Sequence, residues 1–316
     1  MATKTTTGMR LGLGDLAGAG GRALSKYTGM LFSVFIVQSL VAGACILAVW
    51  ALLANAFAHL PMFDLAVDGD LATLIAAFRY AEPSFLAIAG VVFGTIVIWE
   101  TITWFCAGGI YGVLAQRPET RAETARVFGA SGVATYLAYA RLAVCSMFGW
   151  SIVFAVFNFF AAKVLVPRLD HALTVGDLAG PLVLTFLPAG ILLHYFWTVT
   201  DYARAELTLR HESHSPGVVA TYLRTLIYVA RRPLTLVHGA FGWLLAILVT
   251  LAYAFLAQGH PMYGAEGAIM LFIVRQCVAL IRMAIRMGVM GGQLELARTR
   301  PHPPRRVEPT DEPAPT

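Results

Sequence analysis

Met30-Leu31-Phe32-Ser33-Val34-Phe35-Ile36-Val37-Gln38-Ser39-Leu40-Val41-Ala42-Gly43-Ala44-Cys45-Ile46-Leu47-Ala48-Val49-Trp50 is a run of 21 residues without a charge. As a helix it would rise about 31 Å at 1.5 Å per residue, close to the thickness of a bilayer's hydrocarbon core. Its apolar residues fall on every side of such a helix, not on one stripe. Water rewards apolar side chains on one face only, whereas lipid rewards them all round. The run is too long for the apolar region of a signal peptide, and the Thr- and Gly-rich stretch before it, through Ser25, contains no such region. We therefore read it as an uncleaved first transmembrane helix.

Working outward, six stretches reach or approach the length needed to cross a bilayer: 29–54, 85–115, 138–165, 179–201, 234–257 and 267–291. None alternates as a barrel strand would, and lipid leaves an unpaired backbone no other partner, so each is expected to be helical. Composition agrees. Of 316 residues, 58% are hydrophobic and only 13% charged, and the mean hydropathy is +0.70. A soluble chain carries about twice that share of charge. The expected fold is an all-α, polytopic six-transmembrane helix bundle with amphipathic interfacial helices. Residues 1–26 are expected as a flexible cytoplasmic segment, 27–297 as the transmembrane domain, and 298–316 as a disordered Pro-rich cytoplasmic tail.

The basic residues orient the bundle. The N-terminal segment, the 116–137 and 202–233 connections and the C-terminal tail together hold sixteen Lys and Arg. The opposite loops hold Arg79 and Arg168, with Lys163 at a helix edge, and are otherwise acidic: Asp64, Asp68, Asp70, Glu82, Asp170, Asp177 and Glu266. Cationic loops stay in the cytoplasm, so both termini are expected there. The net charge of +5 is thereby spent on orientation. No basic face with interleaved aromatics points to nucleic acid.

Three connections carry amphipathic patterns. Asp70 can cap a helix with Leu71, Leu74, Ile75 and Phe78 on one face. Thr120-Arg121-Ala122-Glu123 reads as a capping box. Ser215-Pro216 starts a helix with Leu223, Leu226, Ile227 and Ala230 on one face and Arg224 and Arg231 elsewhere, which suits an anionic inner leaflet. Packing of these helices on the bundle as plain connectors is the alternative. The pentapeptide Val133-Ala134-Thr135-Tyr136-Leu137 recurs at Val219-Ala220-Thr221-Tyr222-Leu223. A parallel repeat is one account of this, and coincidence is the simpler one.

Ionisable side chains deep in lipid are costly and mark candidate sites. Glu100 lies near the centre of the second stretch. Arg275, Arg282 and Arg286 share one face of the sixth by their spacing. Glu100, His194 and Arg282 each fall about 15 residues, or about 23 Å, from the outer end of their helices, and Gln38 falls in the same layer. The expected polar cluster is Glu100, Arg282, Arg275, His194 and Gln38, with Glu100 paired to Arg282 or Arg275. A structural clamp between helices would use the same residues. Asp201 and Arg204 read as boundary anchors at the inner mouth of the fourth helix, paired locally. Gly90-x-x-x-Gly94, Gly108-x-x-x-Gly112 and Gly288-x-x-x-Gly292 point to close helix approach, and Pro188 to a kink.

No enzyme motif is complete. His211-Glu212-Ser213-His214 is one residue short of a zinc-protease motif, and Gly129-Ala130-Ser131-Gly132 lacks the spacing of a nucleophile elbow. Cys45, Cys106, Cys145 and Cys277 each lie in an apolar segment, without a C-x-x-C pair, and read as small buried hydrophobes. Neither a cofactor nor a metal site is implied.

Four short stretches resemble a group of uncharacterised bacterial six-helix inner-membrane proteins. They are Phe105-Cys106-Ala107-Gly108-Gly109-Ile110, Asp201-Tyr202-Ala203-Arg204-Ala205, Ala230-Arg231-Arg232-Pro233, and Arg275-Gln276 with Arg282 and Arg286. The resemblance spans roughly residues 25–297 and implies the same topology and location. It implies no activity, and Glu100 is not part of it.

The expected function is a scaffold, assembly or regulatory component of the membrane. A permease for a small solute or lipid, using the Glu100 layer, is the alternative, and a membrane-embedded enzyme the third. Expected partners are the anionic lipids of the inner leaflet and a second copy or another membrane protein.

Overall fold

A computed structural model describes residues 11–57, 82–169, 175–210, 217–259 and 265–299. Among these residues the chain forms eight helices and no strand. They are α1 (Leu13–Lys26), α2 (Thr28–Phe57), α3 (Glu82–Gln116), α4 (Arg121–Phe160), α5 (Val175–Arg210), α6 (Val218–Arg231), α7 (Pro233–Gly259) and α8 (Ala265–Arg298). Helix α4 continues without a break through a π-helical segment, Ala161–Leu165, and a last turn, Val166–Leu169.

Five helices are long and apolar enough to cross a membrane, over Thr28–Leu52, Ala89–Gln116, Arg121–Arg168, Gly176–Arg210 and Pro233–Ala257. The sixth expected span falls on α8, which is 34 residues long but carries Arg275, Arg282 and Arg286 along its apolar stretch, and it is not among the five. Phe93, Ile96, Phe148, Phe154, Phe255 and Phe272 are all exposed. A side chain solvated by lipid loses nothing by such exposure, because burial against protein offers it no gain over hydrocarbon.

The packed core is gathered at the basic end of the bundle. It takes Leu16 and Ala23 of α1, Val34 of α2, Tyr111 and Leu114 of α3, Tyr139 and Leu142 of α4, Tyr202 and Leu207 of α5, and Met287 and Leu294 of α8. Helix length explains this. At 1.5 Å per residue, α3, α5 and α8 each exceed about 50 Å, so each runs well past a hydrocarbon core of about 30 Å. Where a helix this long overhangs a bilayer it would meet water, and apolar residues there would be buried as in a soluble bundle.

Close approach of helices depends on small residues. A Cβ on Gly20 would sit 2.5 Å from the Gly288 carbonyl oxygen, so α1 and α8 touch backbone to backbone. A Cβ on Gly108 or Gly112 would collide with Thr135 or Ser131, which locks α3 against α4. By contrast, Gly90 and Gly94 face no other group among the described residues.

Several expectations change. Residues 13–26 of the expected flexible segment form an amphipathic helix whose Leu16, Ala19, Gly20 and Ala23 are buried. Thr120 does cap a helix, with the Glu123 amide donating to its Oγ1 at 3.2 Å, but that helix is α4 itself and not a separate surface helix. The Glu123 carboxylate accepts from the amide of Glu119, not from Thr120 as a capping box requires. Helix α6 begins after Gly217 and buries Thr221, Tyr222, Thr225 and Val229, leaving Leu223 and Ile227 exposed. It ends at Arg231, because the following Pro233 keeps Arg232 out of the helical conformation and suits the first position of α7. The two pentapeptide copies share an environment: Thr135 and Thr221 are buried, Leu137 and Leu223 exposed. The expected outer helix at 70–78, the Ser215-Pro216 start and the tail beyond Thr299 lie outside the described residues.

Candidate functional site

Helix α5 places Asp201, Arg204 and Thr208 at i, i+3 and i+7, and α8 places Arg282, Arg286 and Gln293 at i, i+4 and i+11. Each set therefore lies along one face of its helix. The two faces meet inside the basic end of the bundle, with Tyr111 of α3 and Tyr139 of α4 closing the sides.

Asp201 is the centre, with only 2% of its surface exposed. Its Oδ1 accepts a hydrogen bond from Arg286 Nη2 at 2.5 Å and lies 3.6 Å from Arg204 Nη1. Its Oδ2 accepts from Gln293 Nε2 at 3.4 Å. Gln293 in turn accepts at Oε1 from the Tyr111 hydroxyl at 2.9 Å, and that hydroxyl also reaches the Asp201 carbonyl at 3.3 Å. The amide orientation of Gln293 is thus fixed from both ends. Arg286 stacks 5.4 Å from the centre of the Trp197 ring, and Arg204 lies 5.9 Å from that of Tyr139. The Tyr139 hydroxyl meets Thr208 Oγ1 at 2.7 Å and donates to the Arg204 carbonyl at 3.1 Å. A buried charge needs this kind of partner set, since an uncompensated one costs several kcal/mol.

A second ion pair, Arg210 to Glu206 at 2.6 Å, sits further along α5. Thr225 of α6 donates to Glu206 Oε2 at 3.5 Å and so ties the surface helix to the bundle.

A cavity of about 460 Å³ opens beside Asp201, between α2, α3, α5, α7 and α8. Trp99, Trp197, Trp243 and Met283 give it apolar walls, and Asp201, Arg204, Arg282, Arg286 and Gln293 give it polar ones. Three guanidiniums face one carboxylate. Arg282 is exposed and forms no ion pair among the described residues. The lining therefore favours an anion with an apolar part. Among the described residues no three His, Cys, Asp or Glu side chains gather as metal ligands.

Of the cluster expected from the sequence, Gln38 and Arg282 line this cavity together. Glu100, His194 and Arg275 do not. Glu100 is exposed and forms no ion pair among the described residues, so its expected pairing with Arg282 or Arg275 is not made. Arg275 is likewise exposed. His194 bonds through Nε2 to the Leu236 carbonyl of α7 at 3.0 Å, a contact between helices. His238 makes the analogous bond to the Val289 carbonyl of α8 at 3.2 Å. Asp201 and Arg204 pair locally as expected, but α5 does not end beside them: it continues to Arg210, with Asp201 buried and Arg204 half-buried. The signal for this was in the sequence: Glu206 and Arg210 stand at i, i+4, and Ala205 and Leu207 carry the apolar pattern on. Pro188 lies inside α5, yet the residues α5 gives to the cavity begin only at Trp197.

No family model matches the chain, and no curated protein or solved structure matches it.

Proposed function

We propose that this chain is a six-span protein of the bacterial inner membrane, with both termini in the cytoplasm, that binds and passes a small anionic solute or lipid through the cavity beside Asp201. The single observation carrying the proposal is the cavity itself. Its volume of about 460 Å³ suits a small ligand, and its guanidiniums outnumber its carboxylates. Helix α8 supplies the sixth span. Two of its three arginines, Arg282 and Arg286, turn into the cavity, which is where an intramembrane charge is tolerated. The sixteen basic residues at one end support the orientation.

Proteoliposome flux tests the function, with radiolabelled inorganic phosphate and a fluorescent short-chain phosphatidic acid as probes. Arg282→Gln and Asp201→Asn are expected to cut flux of the accepted probe about tenfold, while Glu100→Gln leaves it unchanged. Equal flux in all four proteins, each still monodisperse, would remove the proposal. Orientation is tested by a cysteine at Gly217, which should be labelled only from the cytoplasmic face.

A scaffold role remains the second reading, and one observation favours it. Val219, Leu223 and Ile227 form an exposed apolar face on α6, with Arg224 and Arg231 along one side of it, as a helix docked on an anionic leaflet or on a partner would have. Loss of membrane-partner capture in Leu223→Ser/Ile227→Ser with flux intact would support it.

A further inference from the structure

A second cavity, of about 280 Å³, lies between α1, the end of α3 and the end of α8, away from Asp201. Arg22 and Lys26 of α1, Arg117 after α3 and Arg298 of α8 converge on it, and Glu295 is its one acid. Glu295 Oε1 is shared between Arg117 and Arg298. Arg298 Nη2 also donates to the carbonyls of Ala115 at 2.7 Å and Leu114 at 3.3 Å, closing the end of α3. Lys26 Nζ donates to the Arg117 carbonyl at 3.4 Å. Arg22 and Lys26 have no acidic partner among the described residues. Four cations are thus drawn together around one carboxylate, which leaves an excess of positive charge facing the groove.

Arg117 takes φ of 56° as the left-handed residue that closes α3, its amide donating to the Val113 carbonyl at 2.9 Å. The groove also lies beside the start of one apolar span, at Thr28, and the end of another, at Gln116, so in a bilayer that these helices cross it would face the level of the lipid phosphates. Basic pockets between helices at this level take phosphate-bearing headgroups.

We propose that this groove seats a phosphate, of an anionic lipid headgroup or free in solution, and that the bound phosphate pins α1 to the ends of α3 and α8. Arg22 and Lys26 stand one turn apart on α1 and supply the donors left over. The packing of α1 does not depend on them, because its buried side chains are Leu16, Ala19 and Ala23.

The test uses the full-length protein in detergent, with native mass spectrometry and thermal unfolding as readouts. The probes are dioleoyl phosphatidylglycerol, phosphatidylcholine of the same chains and inorganic phosphate. Phosphatidylglycerol should be retained about tenfold more than phosphatidylcholine, and Arg22→Gln/Lys26→Gln should lose that preference. Arg224→Gln/Arg231→Gln on α6 should keep it. Protection by inorganic phosphate alone, also lost in Arg22→Gln/Lys26→Gln, would assign the site to a free phosphate. The single Arg22→Glu should behave as the double variant does if that one folds poorly. The proposal is overturned if neither probe is preferred over phosphatidylcholine, or if the preference survives Arg22→Gln/Lys26→Gln. Neither result touches flux through the Asp201 cavity, which uses other residues.

Discussion

Replacing Asp201 by leucine removes the one carboxylate that holds two arginines and a glutamine at the meeting of α5 and α8. Breaking a fully buried pair by deleting one partner costs about 3–5 kcal/mol, because the other charge is left without compensation. Here the arginine side is less enclosed: the Arg286 side chain is 36% exposed, toward the cavity, against 2% for Asp201. Water entering the cavity can solvate part of that charge, so we expect a loss of about 2–3 kcal/mol for Asp201→Leu. Asp201→Asn keeps an acceptor at Oδ1 and should lose about 1–2 kcal/mol. Reversible unfolding in mixed micelles, followed by circular dichroism, gives both numbers. A double-mutant cycle with Arg286→Met should return a coupling of about 1.5–3 kcal/mol. If Asp201→Leu unfolds within about 0.5 kcal/mol of wild type, or if the two changes simply add, the pair carries no stability and the reasoning about the polar core is wrong.

Other substitutions read other parts of the fold. Glu100→Gln should change stability by less than about 0.5 kcal/mol in the same assay, since no ion pair among the described residues is lost. A drop comparable to that of Asp201→Leu would return the polar centre to Glu100. Gly20→Leu drives a side chain into the Gly288 carbonyl and should release α1, with about 1–3 kcal/mol lost and faster hydrogen exchange confined to residues 13–26. Uniform exchange across the chain would contradict it. Burial lifts the Tyr222 phenol to about 12, while an unfolded phenol ionises near pH ~10. Above that point the unfolded chain gives up a proton the folded one keeps, so stability should fall between about pH 10 and 12. The Tyr222 hydroxyl has no hydrogen-bond partner among the described residues, so Tyr222→Phe should flatten that decline and be neutral or stabilising at pH ~8. An unchanged slope in unfolding titrations would refute it.

The long apolar helices could be read from the sequence because lipid imposes its pattern residue by residue, and five of the expected spans fall on long apolar helices, though the helices over 138–165 and 179–201 run well past those bounds, to Arg121–Arg168 and Gly176–Arg210. The centre of the site could not be read from depth alone. Counting from the outer ends put Glu100, His194 and Arg282 in one layer, but depth does not say which way a side chain points around its helix. Glu100 turns outward, while Gln38 and Arg282 turn to a common cavity. Asp201 was misplaced for a different reason. The expected span ends at Asp201, but the apolar helix runs on to Arg210, and the acids along that continuation are buried and paired. The role of α1 was hidden by its glycines, which read as flexible linker but serve as the flat surface against which Gly288 and Gly291 pack.

Helix α4 is one rod from Arg121 to Arg168, 48 residues and so about 72 Å long. A rod that long acts as a lever. Were it to tilt by ten degrees or so about its middle, each tip would swing by about 6 Å, more than one helical turn. Thickening or stretching of the bilayer around Phe148 and Phe154 would then be felt at Tyr139, Thr135 and Val127, in the packed end of the protein. Only the π-helical segment at Ala161–Leu165 offers a place for such a bend to be absorbed, and it lies near the far tip, where absorbing it would spare the basic end nothing.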